Sequence, residues 1–376
     1  MVDPRETQLA ELLVDYSVGL EAGENVCLLT DSTQALPLFR EVYKTVIVRG
    51  GYPYPHVELD PHVGFEGMDY TWMKHASDEQ LRHLSRIRFE EMKAMDAYVR
   101  IGAPANKVDL AGIDPKRIAM RRRTTKPILD ERLRKKWVVT RFPAPSMAQA
   151  ASMSTEDFAD FFYNACLIDW GAQSKIQEGI KEKFESGKVV RILGDETDLY
   201  LGIHGRKVKK CIGKCLYNRN LRRFEGANMP DGEVYFGPVE DFTHGYIKYT
   251  YPYNMQGQKI DGISLKFEHG KIVEFKAETN QKALASLLNA DDGARRLGEC
   301  GIGTNPSITK FMDELLFDEK ILGTVHVTPG RSYEGRGVNE SAIHADIVKD
   351  LRQEHGGGEL QVDGEVVQKN GKWTFI

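Results

Sequence analysis

The chain reads as two domains: an N-terminal α/β domain with a parallel sheet, and a C-terminal α+β domain with a largely antiparallel sheet. Three observations carry this. At 376 residues the chain exceeds one ordinary core. Its first half alternates helical and strand patterns. Its second half is dominated by short β-rich runs joined by X-Gly pairs. We place the boundary near Gly187, giving domains 1–187 and 188–376.

In the first half, "RETQLAELLVDYSVGL" puts Leu9, Leu12, Leu13 and Tyr16 at helical spacing, closed by Gly19 and Gly23. "ENVCLLT" (24–30) is a buried strand, "LPLFREVYKTVIVRGG" a helix ending at Gly50-Gly51, and "PYPHVEL" a short extended piece. Helices are expected over 66–75 and 78–92, then a strand at 96–103. "DPKRIAMRRRTTKPILDERLRKKW" is helical with a proline interruption, and "WVVTRF" (137–142) is a strand. The basic runs in that helix are read as solvated faces. "FPAPSMAQAASMS" (142–154) reads as a loop and a candidate linker, followed by one long helix capped near Ser154.

From "KVVRILG" onward, turns are expected at His204-Gly205, His269-Gly270, Asp363-Gly364 and Asn370-Gly371. One helical stretch spans 280–297.

Composition excludes several classes. A hydrophobic content of 41%, a charged content of 28% and a net charge of −4 describe a globular protein with no case for nucleic acid or an anionic membrane. No apolar run reaches the roughly 18–20 residues of a membrane span, and the N-terminus carries no apolar signal core. Cys27, Cys166, Cys211, Cys215 and Cys300 form an odd, scattered set that suits free thiols in a reducing cytoplasm. "CIGKC" (211–215) lacks the four ligands of a zinc finger.

Four patches carry candidate chemistry. Glu233 starts a strand after a Pro-Asp-Gly turn in "NMPDGEVYFGPVED". Glu299 follows a helix and enters a glycine-rich loop in "LGECGIGTNP". His326 lies in a strand and Tyr333 in the loop beyond it, in "GTVHVTPGRSYEGRG". In "SAIHADIVKD", a strand would send His344 and Asp346 out of one face and Ile343, Ala345 and Ile347 out of the other.

Singly, each has an ordinary explanation: a glutamate after a turn is usually solvated, and a strand histidine is usually a hydrogen-bonded core residue. Together they form an oxygen and nitrogen donor set suited to Zn²⁺, Mn²⁺, Co²⁺ or Fe²⁺. Buried carboxylates favour a positive partner. Two divalent ions sharing these ligands would activate a water for hydrolysis.

At these patches, and at "GARRLGECGIGTNPSIT", "LLFDEKILGTVHVTPGRSY" and "NESAIHADIV", the sequence resembles the M29 metallopeptidases of the thermophilic aminopeptidase type. Weaker similarity reaches back to "LAELLVDYSVGLEAGENV". The resemblance implies a cytosolic, homodimeric aminopeptidase acting on small peptides, with two divalent ions (Zn, Co, Mn or Mg). It implies the ligand set Glu233, Glu299, His326, Tyr333, His344 and Asp346. Glu299 and Tyr333 are its catalytic candidates, Glu299 as general base. "VTPG" places a proline where the family usually has small apolar residues, and Arg331 and Arg336 would suit an anionic substrate group. The alternative is a ring-opening dioxygenase of the 2,5-dihydroxypyridine type on the same fold, with His326, His344 and Asp346 around one Fe²⁺. Glu233 and Glu299 argue for the hydrolase, because one iron does not need them.

Overall fold

A computed structural model describes residues 3–58, 68–255 and 257–376. Residues 66 and 67, the start of one expected helix, lie outside them. The chain forms two compact units: Met1–Leu167 with Gly213–Pro230, and Ile168–Ile212 with Asp231–Ile376. The expectation had a single cut near Gly187. The helix Trp170–Glu185 instead falls in the second unit, because Ile180 and Phe184 on its inner face join that unit's core.

The first unit holds a five-stranded, all-parallel sheet. Its order is Ala227–Met229, Lys136–Arg141, Ala97–Gly102, Asn25–Thr30, Tyr52–Val57. The central strand Ala97–Gly102 is buried throughout, as a sheet covered on both faces requires. The outer strand Tyr52–Val57 carries two prolines, which an edge tolerates. Asp3 caps the first helix, Pro4–Glu11, which widens over Leu12–Val18 and ends at Gly19 in the left-handed conformation.

Several expectations shift here. The second expected helix is two, Asp78–Leu81 and Arg86–Ala94, each capped by a serine. The helix Pro115–Arg132 runs through Pro127. Its basic residues are not all solvated: Arg121 and Arg132 are buried. Arg121 donates to the carbonyl of His83 and lies over Trp72, while Arg132 lies over Tyr98 and Trp137. Aromatic faces take up the guanidinium where water cannot. The expected linker contains a helix, Pro145–Ala150, started by its proline. The expected long helix is two, because Asp169 leaves helical geometry and caps a new one at Trp170.

The second unit packs two antiparallel sheets on one apolar core. The larger has eight strands, in the order Lys271–Lys276, Ser264–Glu268, His244–Lys248, Thr197–Gly202, Val189–Gly194, Gly358–Val362, Glu365–Lys369, Lys372–Trp373. Its hairpins turn at His269-Gly270, Asp363-Gly364 and Asn370-Gly371, each pair with positive φ at both positions. This is the turn whose twist matches paired strands. His204-Gly205 differs: the strands on either side of it enter different sheets.

The smaller sheet runs Ile347–Asp350, Thr324–Pro329, Leu297–Gly303, Glu233–Phe236, Lys209–Cys211. Val234, Phe236, Cys300, Ile302, Val325, Val327 and Ile347 point into the shared core. By strict alternation the residues between them face the other way. That second face carries the candidate chemistry.

Candidate metal centre

Glu233, Glu299 and His326 stand on three adjacent strands of the smaller sheet, and each is buried. Glu299 is therefore not in a loop, as expected, but inside a fully buried strand. The sequence hides this because the pairing of Leu297–Gly303 with Thr324–Pro329 shifts register between Leu297 and Glu299. Without the shift, residues two apart would share a face. With it, Leu297 enters the core while Glu299 turns to the opposite side. Bulges re-aim side chains in this way beside functional sites. A Cβ on Gly298 would lie 2.2 Å from the carbonyl oxygen of Arg331, so the bulge needs glycine.

Two residues beyond Glu299, Gly301 pairs with His326, and a Cβ there would fall 2.1 Å from His326 Cε1 and Nε2. Of the glycines in "GECGIG", Gly301 leaves the space the imidazole occupies. His326 Nε2 lies 3.0 Å from Glu299 Oε1 and 3.3 Å from Glu233 Oε2.

His344 and Asp346 precede the strand Ile347–Asp350 rather than lying in it; His344 makes one isolated bridge, to Gly330. The lead-in is extended, so the expected alternation holds: Ala345 and Ile347 enter the core, with Ile343 packed against it. His344 Nε2 is 3.2 Å from Asp346 Oδ1 and 3.6 Å from Glu299 Oε2. His344 Nδ1 lies 2.7 Å from the carbonyl oxygen of Arg331. That oxygen only accepts, so Nδ1 carries the proton and a neutral ring keeps Nε2 for a ligand. Thr328, two residues beyond His326 on the same face, donates to Asp346 Oδ1 at 2.8 Å. Period 2 from His326 was the signal for it.

Tyr333 flanks this cluster: its ring centroid stands 4.9 Å from that of His344 and 5.4 Å from that of Tyr235, and it remains 45% exposed. The Arg331 side chain is exposed, and what it gives the site is its backbone carbonyl. Arg336 is half-buried.

Five donors thus form two overlapping groups, Glu233–Glu299–His326 and Glu299–His344–Asp346, each within 4.8 Å. Glu299 belongs to both and turns one oxygen toward each histidine. A third group joins Cys211, Asp231 and Glu233. All five cysteines are free.

The electrostatics call for positive charge. Burial pushes Glu233 and Glu299 up from the ordinary carboxylate range. Burial also works against a charged His326, but its bond to Glu299 and the field of Glu233 outweigh that and raise it to about 9. His344 is likewise raised to about 10 by Asp346 and Glu299 against its burial. Asp346 is buried too, yet the charge of His344 holds it well below its usual value. Acids and imidazoles together hold protons in this buried cluster, which metal ions would replace. Oε2 of both Glu233 and Glu299 and Nδ1 of His326 are buried without a hydrogen-bond partner. Buried polar atoms are normally satisfied, so carboxylate oxygens of this kind fit a metal. The donor set is that of a divalent-metal enzyme.

The sequence model of the thermophilic metalloprotease family M29 matches residues 2–373. The chain belongs to this family of metallopeptidases. It is 26% identical to aminopeptidase 2 of Geobacillus stearothermophilus over 97% of both chains. It is 33% identical to aminopeptidase T of Thermus aquaticus over 41% of each. Its fold matches that of the solved AmpT from Thermus thermophilus with a TM-score of 0.83, at 22% identity and 99% coverage of both chains. The dioxygenase alternative finds no support in these matches. Among the described residues, no helix is long and apolar enough to cross a membrane.

Proposed function

We propose that the protein is an aminopeptidase that releases N-terminal residues from short peptides with two divalent ions. The observation that carries this reading is Glu299. Its Oε1 faces His326 and its Oε2 faces His344, so one carboxylate joins both donor groups. Glu233 and His326 would hold one ion, His344 and Asp346 the other, with Glu299 shared between them. The named aminopeptidases among its relatives support the substrate class.

Bound there, two dications would polarise the scissile carbonyl and bring a water's pKa toward neutrality. The chain's own residues do the rest. With each oxygen turned to a histidine, Glu299 would serve as the ligand shared by both ions. Thr328 fixes Asp346, and the Arg331 carbonyl fixes the His344 ring. Tyr333, at the open edge of the cluster, is placed to touch substrate. A cytoplasmic homodimer belongs to the same reading, and the five free cysteines are consistent with that compartment.

The test is metal content by mass spectrometry together with hydrolysis of aminoacyl anilides. Two ions per chain and chelator-sensitive release of the amine are expected. One iron per chain with oxygen consumption on a dihydroxypyridine would sink the reading.

A further inference from the structure

The two oxygens of Glu233 have different neighbours. Oε2 faces His326 Nε2 at 3.3 Å, while Oε1 faces the ammonium of Lys320 at 3.8 Å. Lys320 is completely buried. Its ammonium also donates to Glu319 and lies in the field of Asp231. The backbone holds it in place: its N–H donates to Phe317 O at 2.9 Å, and its carbonyl accepts from Asn305 N–H at 3.1 Å. Just upstream, the Asp318 carboxylate accepts from the backbone of Met312 and Glu314.

An ion pair with the nearly buried Glu319 would neutralise this lysine by itself. It leaves the 3.8 Å approach of the ammonium to Glu233 unexplained. That second contact bears on the group Cys211–Asp231–Glu233, whose donors lie within 4.8 Å of one another. Cys211 pairs with Glu233 across neighbouring strands. Lys320 acts on all three of these residues or is acted on by them. The group has a cation already, and that cation is an amine.

We propose that Lys320 is a positioning residue that reserves Oε1 of Glu233, so that Glu233 meets its metal through Oε2 alone. Its ammonium is the cation of the Cys211–Asp231–Glu233 group and limits the centre to two ions. This rests on the two-ion reading above. A buried ammonium is a fixed point charge, suited to holding one lone-pair direction of a carboxylate while leaving the other to a metal.

Zinc-loaded crystals of the wild-type protein test this directly. The expected result is Glu233 bound through one oxygen, with Oε1 within hydrogen-bond reach of Lys320 and no anomalous peak beside Cys211. Glu233 gripping zinc with both oxygens, or a zinc peak at Cys211, would overturn the role of Lys320 and leave the metal centre standing. Crystals with no zinc among Glu233, Glu299 and His326 would overturn both. Cobalt loading of Lys320→Met and Lys320→Arg adds a solution readout. Lys320→Met should rise from two ions toward three and gain a near-ultraviolet thiolate-to-cobalt band from Cys211. Lys320→Arg should keep the wild-type count and spectrum. A Lys320→Met protein with an unchanged count and spectrum would contradict the proposal.

Discussion

Gly301→Ala isolates the space that the site depends on. Gly301 has no left-handed backbone angle to satisfy, so alanine changes only its surroundings. The new methyl would sit 2.1 Å from His326 Cε1 and Nε2. Carbon contacts settle near about 3.5 Å, so the ring must retreat by more than about 1 Å. The retreat moves Nε2 away from Glu299 and Glu233, now 3.0 and 3.3 Å off. Overpacking of this kind costs about 1–3 kcal/mol, a fall in Tm of a few degrees. The functional loss should be much larger, since a displacement of about 1 Å at a reacting centre can cost about 10²-fold in rate. Paired measurements by thermal melting, metal analysis and anilide hydrolysis should give a folded protein lacking the His326-bound ion and most of its activity. Wild-type metal content and kcat/KM in Gly301→Ala would refute the assignment of His326.

His344→Ala should leave one ion per chain, because Glu299 and Asp346 alone make a poor site; metal analysis after dialysis reads this. Thr328→Val removes the hydrogen bond that orients Asp346 and should weaken metal binding by about 10–100-fold in a competition titration. In the metal-free protein, His326 and His344 are raised to about 9 and 10. Their contribution to stability is full below the unfolded value of about 6.5 and is lost as pH rises through 9 and 10. Metal-free Tm should therefore fall across that window, whereas metal binding at neutral pH should release protons, measurable by calorimetry in buffers of different ionisation enthalpy. In the first unit, Asp31→Asn removes the negative charge 3.0 Å from the buried Arg100 and should lower stability to urea.

Much of the fold was legible where one rule acts alone. Three parallel strands of the first unit, Asn25–Thr30, Ala97–Gly102 and Lys136–Arg141, announced themselves as apolar runs between helices, and the Asp363-Gly364 and Asn370-Gly371 hairpins by their turn residues. Ala227–Met229, which joins that sheet from the second half of the sequence, did not. Legibility failed where two rules compete. The 154–187 segment looks like one helix because both halves are amphipathic, yet Asp169 restarts it. Arg121 and Arg132 look solvated until the aromatic rings around them are known.

At the site, the expected residues Glu233, Glu299, His326, His344 and Asp346 converge, with Tyr333 at their edge. The spacing of His344 and Asp346 was readable from alternation alone. Glu299 was not, because the bulge at Gly298 breaks that alternation immediately before it. Lys320 was missed because a lysine next to a glutamate ordinarily reads as surface charge, and only tertiary packing buries it.

The central claim is that one carboxylate, Glu299, joins two metal ions. Electron paramagnetic resonance on protein loaded with two equivalents of Mn²⁺ measures this most directly. A shared Glu299 predicts an exchange-coupled pair in the wild-type protein whose signal is lost in Glu299→Ala, because each remaining group keeps only two donors. Two uncoupled Mn²⁺ signals in the wild-type protein, or a single bound ion at saturation, would contradict the account.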